Sequence, residues 1–139
     1  MNKLLVCYLY TSFDDINSLQ NFKKNYLKFD SGINHELIIC FKLLKSQQIQ
    51  DIVSQLNGIN FKTFIDPNNK NDFDFGTYKR IAELNKNSQI FFLNSHSYPI
   101  CDKWLFKLAH NSSNDSLIGT SASCESLLDS FKLKKKYKI

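Results

Sequence analysis

Arginine is almost missing from this 139-residue chain. Arg80 is the only one, and the formal charge of +5 rests on lysine. No basic stripe with interleaved aromatics occurs before the last residues, and no nucleic-acid-binding signature is present, so the charge alone does not indicate nucleic acid as a partner. Glycine and proline are scarce as well, at four and two. No G-x-G-x-x-G follows the first hydrophobic run and no glycine loop of the Walker type occurs, which excludes the usual dinucleotide and P-loop sites. A G-x-S-x-G nucleophile elbow is missing too. The four cysteines, Cys7, Cys40, Cys101 and Cys124, lie far apart without C-x-x-C spacing. They read as buried reduced thiols, not as a zinc site or a disulfide frame. No apolar run approaches the ~20 residues that cross a bilayer. The apolar N-terminus is short and lacks a small-residue cleavage site. The expectation is a soluble, cytoplasmic protein.

What is present is an alternation of strands and helices. "KLLVCYLY", residues 3–10, is a continuous apolar run and predicts a strand buried on both faces. Asp14 or Asp15 caps a helix in which Ile16, Leu19, Phe22, Tyr26 and Leu27 share a face, and Ser31-Gly32 breaks it. A second strand is expected over 35–44. A helix capped by Ser46 and ended by Gly58 follows, carrying Ile49, Ile52, Val53 and Leu56. Residues 59–66 alternate as a third strand up to Pro67. Phe75, Tyr78, Ile81 and Ala82 mark a third helix opened by Asp72 or Asp74. "QIFFL", 89–93, is a fourth, buried strand. A helix with Trp104, Leu105, Leu108 and Ala109 comes next, and 116–123 is a fifth strand. Trp104 is assigned to the core, and His35 and His110 to the surface.

Short connections between alternating elements predict a three-layer, Rossmann-like α/β sandwich with a mainly parallel sheet, one domain over residues 1–130 with a basic tail over 131–139. If strands 2 and 3 lie on one side of strand 1 and strand 4 on the other, the winding reverses between strands 1 and 4. Ligands of open α/β sheets bind outside the carboxyl ends of strands at such a reversal. The loops there are Thr11-Ser12-Phe13 and Asn94-Ser95-His96-Ser97.

The stretch "DFDFGTYKRIAELNKNSQIFFLNSHSYPICDKWLFKL" and the following "LIGTSASCES" resemble the nucleotide-diphospho-sugar transferases of the GT-A type, the glycosyltransferase-like domains of polysaccharide biosynthesis. The resemblance covers residues 72–126 in sequence and most of the chain in element order. It implies a protein that binds a nucleotide-diphosphate sugar for surface polysaccharide synthesis. It also implies nucleotide contacts from Thr11 and Ser12 in the first loop, and from Asp74, Tyr78 and Arg80 in the turn and start of helix 3. Asn94 would follow strand 4. In the commoner members that strand ends in an Asp-x-Asp motif that meets the ribose and a divalent cation, manganese or magnesium, on the diphosphate. Here the positions read Asn94, Ser95 and His96, leaving His96 as the one metal-ligand candidate, and imidazole suits manganese better than magnesium. The cations for a diphosphate are then Arg80 or Lys42, the latter standing where many relatives carry an acidic residue.

Each residue also has a plainer reading. Asp74 is a helix cap, Tyr78 packs in the core, Arg80 is a solvated helix residue, and Asn94 and His96 satisfy their own loop. Relatives continue beyond the small-residue strand into an acceptor-binding half with a catalytic carboxylate. No catalytic residue is assigned in this chain; Glu125 is an acidic residue near its end. The expectation is the nucleotide-binding half of a transferase, completed by a second chain or domain, or else a non-catalytic binding or interaction domain of the same fold. The lysine tail implies at most a weak, peripheral attraction to an anionic membrane surface.

Overall fold

The computed structural model describes residues 3–68 and 70–113. The chain divides at Phe106 into two units, and only residues 107–113 of the second are described. The expected fifth strand and the boundary between 130 and 131 therefore lie outside the described residues.

Eight elements alternate: β1 (Lys3–Thr11), α1 (Ile16–Lys28), β2 (Glu36–Lys42), α2 (Ser46–Ser54), β3 (Lys62–Ile65), α3 (Phe73–Leu84), β4 (Ser88–Leu93) and α4 (Trp104–His110). The four strands form one sheet in the order β3-β2-β1-β4, and every pairing is parallel. β1 lies inside it, pairing Cys7 with Ile38 on one side and with Phe92 on the other. Residues Leu4–Tyr10 are all buried, as a strand covered on both faces requires.

The two faces are packed by different helices. Tyr8 stacks on Phe22 of α1 at 4.0 Å between ring centroids. Leu5, Cys7, Leu9, Ile38 and Cys40 face the other way and form a cluster with Ile81 of α3. Tyr78 stacks on Phe92 at 4.4 Å on that same side. The chain thus steps outward through β1, β2 and β3, then returns across the sheet to β4. The result is an α/β layering compatible with a Rossmann-like sandwich.

Several boundaries differ from the sequence reading for local reasons. β2 stops at Lys42 because Leu43 takes a left-handed conformation (φ 58°), which no ladder accommodates. β3 has only four residues. β4 is half-exposed along its length and not the buried strand expected. Of the two caps expected for α1, Asp15 is the one used, accepting from Asn17 N at 3.0 Å. Ser46 is the first helical residue of α2, and Lys45 precedes it with its N–H donated to Gln48 Oε1. In α3 the buried residues are Thr77 and Ile81. Phe75 and Ala82, seven residues apart and hence on one face, point to solvent. Leu27 of α1 is likewise exposed.

His35, expected at the surface, is half-buried, with both ring nitrogens engaged. Its Nδ1 lies 3.1 Å from the Ile33 carbonyl, which can only accept, so Nδ1 carries the proton. Nε2 is hydrogen-bonded with the Tyr26 hydroxyl at 2.6 Å, and burial pushes that phenol up to about 12. Trp104 packs edge-on to both rings and is buried, as expected.

Candidate functional site

The tips of β1 and β4 are neighbours, tied together by one carboxylate. Asp14 Oδ2 accepts from Thr11 N at 2.7 Å and from Thr11 Oγ1 at 2.8 Å, while its Oδ1 accepts from Ser95 Oγ at 2.5 Å. From below, the Tyr8 hydroxyl donates to the Ser95 carbonyl at 2.9 Å. On the other side Ser12 N continues the ladder to Lys42 O at 3.1 Å. Three strand ends thereby meet around a cavity of about 260 Å³, at the point where the winding reverses. A larger depression of about 460 Å³ is shallow and lined only by the 30–35 loop.

The cavity at the reversal contains Thr11, Lys42, Asp74, Asn94 and His96 from the sequence-derived set. Phe13 and Phe73 stand on its wall, each 74% exposed. Leu43 and Phe73, also on the wall, are two of the three described non-glycine residues with positive φ, a conformation retained where the surroundings enforce it. Ser12, Tyr78 and Arg80 do not line the cavity. Ser12 is exposed beside it, and Tyr78 is held in the aromatic packing under β4.

Beneath the cavity lies an ion network that the sequence reading did not foresee. Lys42 is buried, and its Nζ donates to Asp72 Oδ1, to Phe73 O at 2.7 Å and to Thr77 Oγ1 at 3.3 Å, with Asp66 Oδ2 at 4.0 Å. Arg80 donates through Nη1 to Asp72 Oδ2 at 2.7 Å and through Nη2 to Asp66 Oδ2 at 2.5 Å. Thr77 Oγ1 also donates to Asp66. Two cations thus meet two carboxylates, and the group is neutral as a whole. Burial pushes the Asp66 carboxyl up, but the hydrogen bonds from Arg80, Thr77 and Asn68 N outweigh it and hold the group below its usual range. Arg80 and then Lys42 hold the Asp72 carboxyl well below its usual range, and Asp72 and Asp66 in turn raise the guanidinium.

The remaining wall groups are less committed. Asn94 Oδ1 accepts from His96 N at 3.2 Å and from Ser97 Oγ at 2.7 Å, so its carbonyl closes its own turn while the amide N–H₂ stays available. Asp74 sits in the first turn of α3, where the helix dipole favours a carboxylate. It makes no hydrogen bond or ion pair among the described residues. His96 is exposed.

A divalent cation at the Asp-x-Asp position would need several oxygen ligands. Asn94 Oδ1 is occupied, the Ser95 hydroxyl is spent on Asp14, and His96 offers one nitrogen. No three His, Cys, Asp or Glu side chains converge as a metal-binding set among the described residues. The residues at this turn do not fit the metal that the resemblance implies.

Sequence reasoning missed Asp14 as the latch, Asp66 and Asp72 as partners of the two cations, and the flanking phenylalanines. The T-x-x-D spacing of Thr11 and Asp14 was the one local signal for the latch; Asp66 and Lys42 are joined only by folding. No helix among the described residues is long and apolar enough to cross a membrane. Comparison with known proteins finds no matching family model, no matching curated protein and no matching solved structure.

Proposed function

We propose that this α/β domain binds a nucleotide-diphosphate sugar in the manner of the GT-A transferases of surface polysaccharide synthesis, with the cavity over β1 and β4 as its nucleotide site. The observation that carries the reading is the cavity at the winding reversal, walled by the exposed rings of Phe13 and Phe73 and by the uncommitted Asp74 carboxylate and Asn94 amide. An aromatic wall suits a base or a sugar ring. The Asp74 carboxylate can accept from hydroxyl groups, and the Asn94 amide can donate. Thr11 and Asn94 keep the roles the resemblance gives them, and Ser12 lies within the same loop. Lys42 and Arg80 act indirectly, fixing the start of α3 through Asp72 and Asp66. Tyr78 serves packing. His96 is a contact from the turn, without a metal.

The second reading, a non-catalytic domain of the same architecture, is favoured by the ion network. Both cations expected for a diphosphate are already matched by carboxylates. Isothermal titration with UDP-, GDP- and dTDP-sugars, with and without manganese, tests the first reading. Binding tighter than about 1 mM by at least one of them is expected. A folded sample silent across the panel contradicts it. Binding without transfer or hydrolysis selects the non-catalytic version.

A further inference from the structure

The protein carries a surplus of positive charge, yet the site does not. The ionisable side chains on the cavity wall are Asp14, Asp74, Lys42 and His96. Lys42 is cancelled from beneath by Asp72 and Asp66, with Arg80 completing a neutral set. Asp14 accepts from neutral donors only, Thr11 and Ser95, with no cation paired to it among the described residues. Asp74 has no counter-ion among the described residues. The cavity is therefore locally anionic within a chain of formal charge +5.

Size points the same way. Sites for whole drug-sized ligands run from about 300 Å³ upward, and this cavity has about 260 Å³. A cavity of this size encloses about one ring system, so a whole nucleotide sugar would extend beyond it. Phe13 and Phe73 offer flat apolar surface for such a ring, and Asp74 and Asn94 offer an acceptor and a donor for its polar edge.

We infer that the cavity takes an uncharged, hydroxyl-bearing ring and disfavours phosphate, so that a nucleotide sugar is gripped by a neutral ring with its diphosphate left outside. This rests on the reading above and reverses its usual electrostatics, since the phosphate contributes no affinity. The shared chemistry, a hydroxyl-bearing ring, occurs in a nucleoside and in a free sugar.

Calorimetric titration of the whole chain without divalent cations separates these cases, using uridine, guanosine and thymidine, their diphosphates, the matching nucleotide sugars, and free glucose and galactose. The expected result is a nucleoside that binds at least as tightly as its diphosphate at about 20 mM salt. Raising the salt to about 200 mM screens the repulsion and improves the diphosphate by about threefold, leaving the nucleoside unchanged. Asp74→Asn, checked for folding by circular dichroism, should improve the diphosphate by a similar factor. Binding of free sugars alone also supports the ring assignment but removes the nucleotide-sugar reading. A nucleoside that binds while every nucleotide sugar fails does the same. A diphosphate about tenfold or more tighter than its nucleoside, weakening with salt, overturns the inference and leaves the nucleotide-sugar reading standing. Silence from every compound overturns both.

Discussion

Gly76 shows how one missing side chain supports the site. A Cβ at this position would collide with the Asp72 carboxylate, which folds back over the first turn of α3. That carboxylate is pinned by Lys42 on one side and Arg80 on the other, so it cannot swing aside cheaply. In an exposed helix, Gly→Ala stabilises by about 1 kcal/mol. Here the clash decides the sign, and Gly76→Ala should destabilise by roughly 1–2 kcal/mol, read as a lower urea midpoint. In the Asp72→Ala background the same change should become neutral or stabilising. A Gly76→Ala variant more stable than the parent would show that Asp72 is not fixed there. At this scale the sequence was half legible. Asp72 was read as one of two residues opening α3, and it stands at that position, but its carboxylate serves Lys42 and Arg80, residues 30 and 8 positions away.

At the scale of elements, the central strands hold two of the four cysteines. Cys7 of β1 and Cys40 of β2 are both fully buried in the layer under α3. The neighbouring Cys7 thiol and burial together push the Cys40 thiol far up, so neither its access nor its ionisation favours reaction. Cys101, after β4, is half-exposed. Native protein treated with iodoacetamide should therefore be labelled at Cys101, with Cys7 and Cys40 protected until denaturant is added; peptide mass mapping reads the order. Early labelling of Cys40 would mean that β1 and β2 open locally. The burial of these strands was legible because an uninterrupted apolar run has only one stable placement in an α/β sheet. The same logic overshot for β4. "QIFFL" reads as equally apolar, but the described sheet ends there, and an outer strand is covered less completely.

Across the whole molecule, the carboxylates that matter are held in their charged form. Asp66 and Asp72 lie below their usual range through the ion network. Lys62 and Lys3 do the same for Glu36, and hydrogen bonds from Asn17 do it for Asp15. A carboxylate whose folded value is below its unfolded value, about 4, stabilises the fold above that pH and loses its contribution as pH falls through the folded value. The melting temperature should stay nearly level from about pH 7 to about pH 5 and fall steeply below about pH 4. Arg80→Gln removes the chief partner of Asp72, so its acid limb should be shallower and its stability at neutral pH lower. An acid limb identical to the parent's would show that the network does not govern acid stability.

The sequence by itself determined the order of elements, the parallel α/β architecture and the placement of the polar turn at the carboxyl end of β4. Those follow from local periodicity, turn residues and the burial demanded by apolar runs. Only the tertiary structure decided the charge of the site. Whether Lys42 and Arg80 face a ligand or a carboxylate depends on contacts between residues far apart in the chain, and Coulomb interaction across a buried distance leaves no trace in the spacing of residues along it.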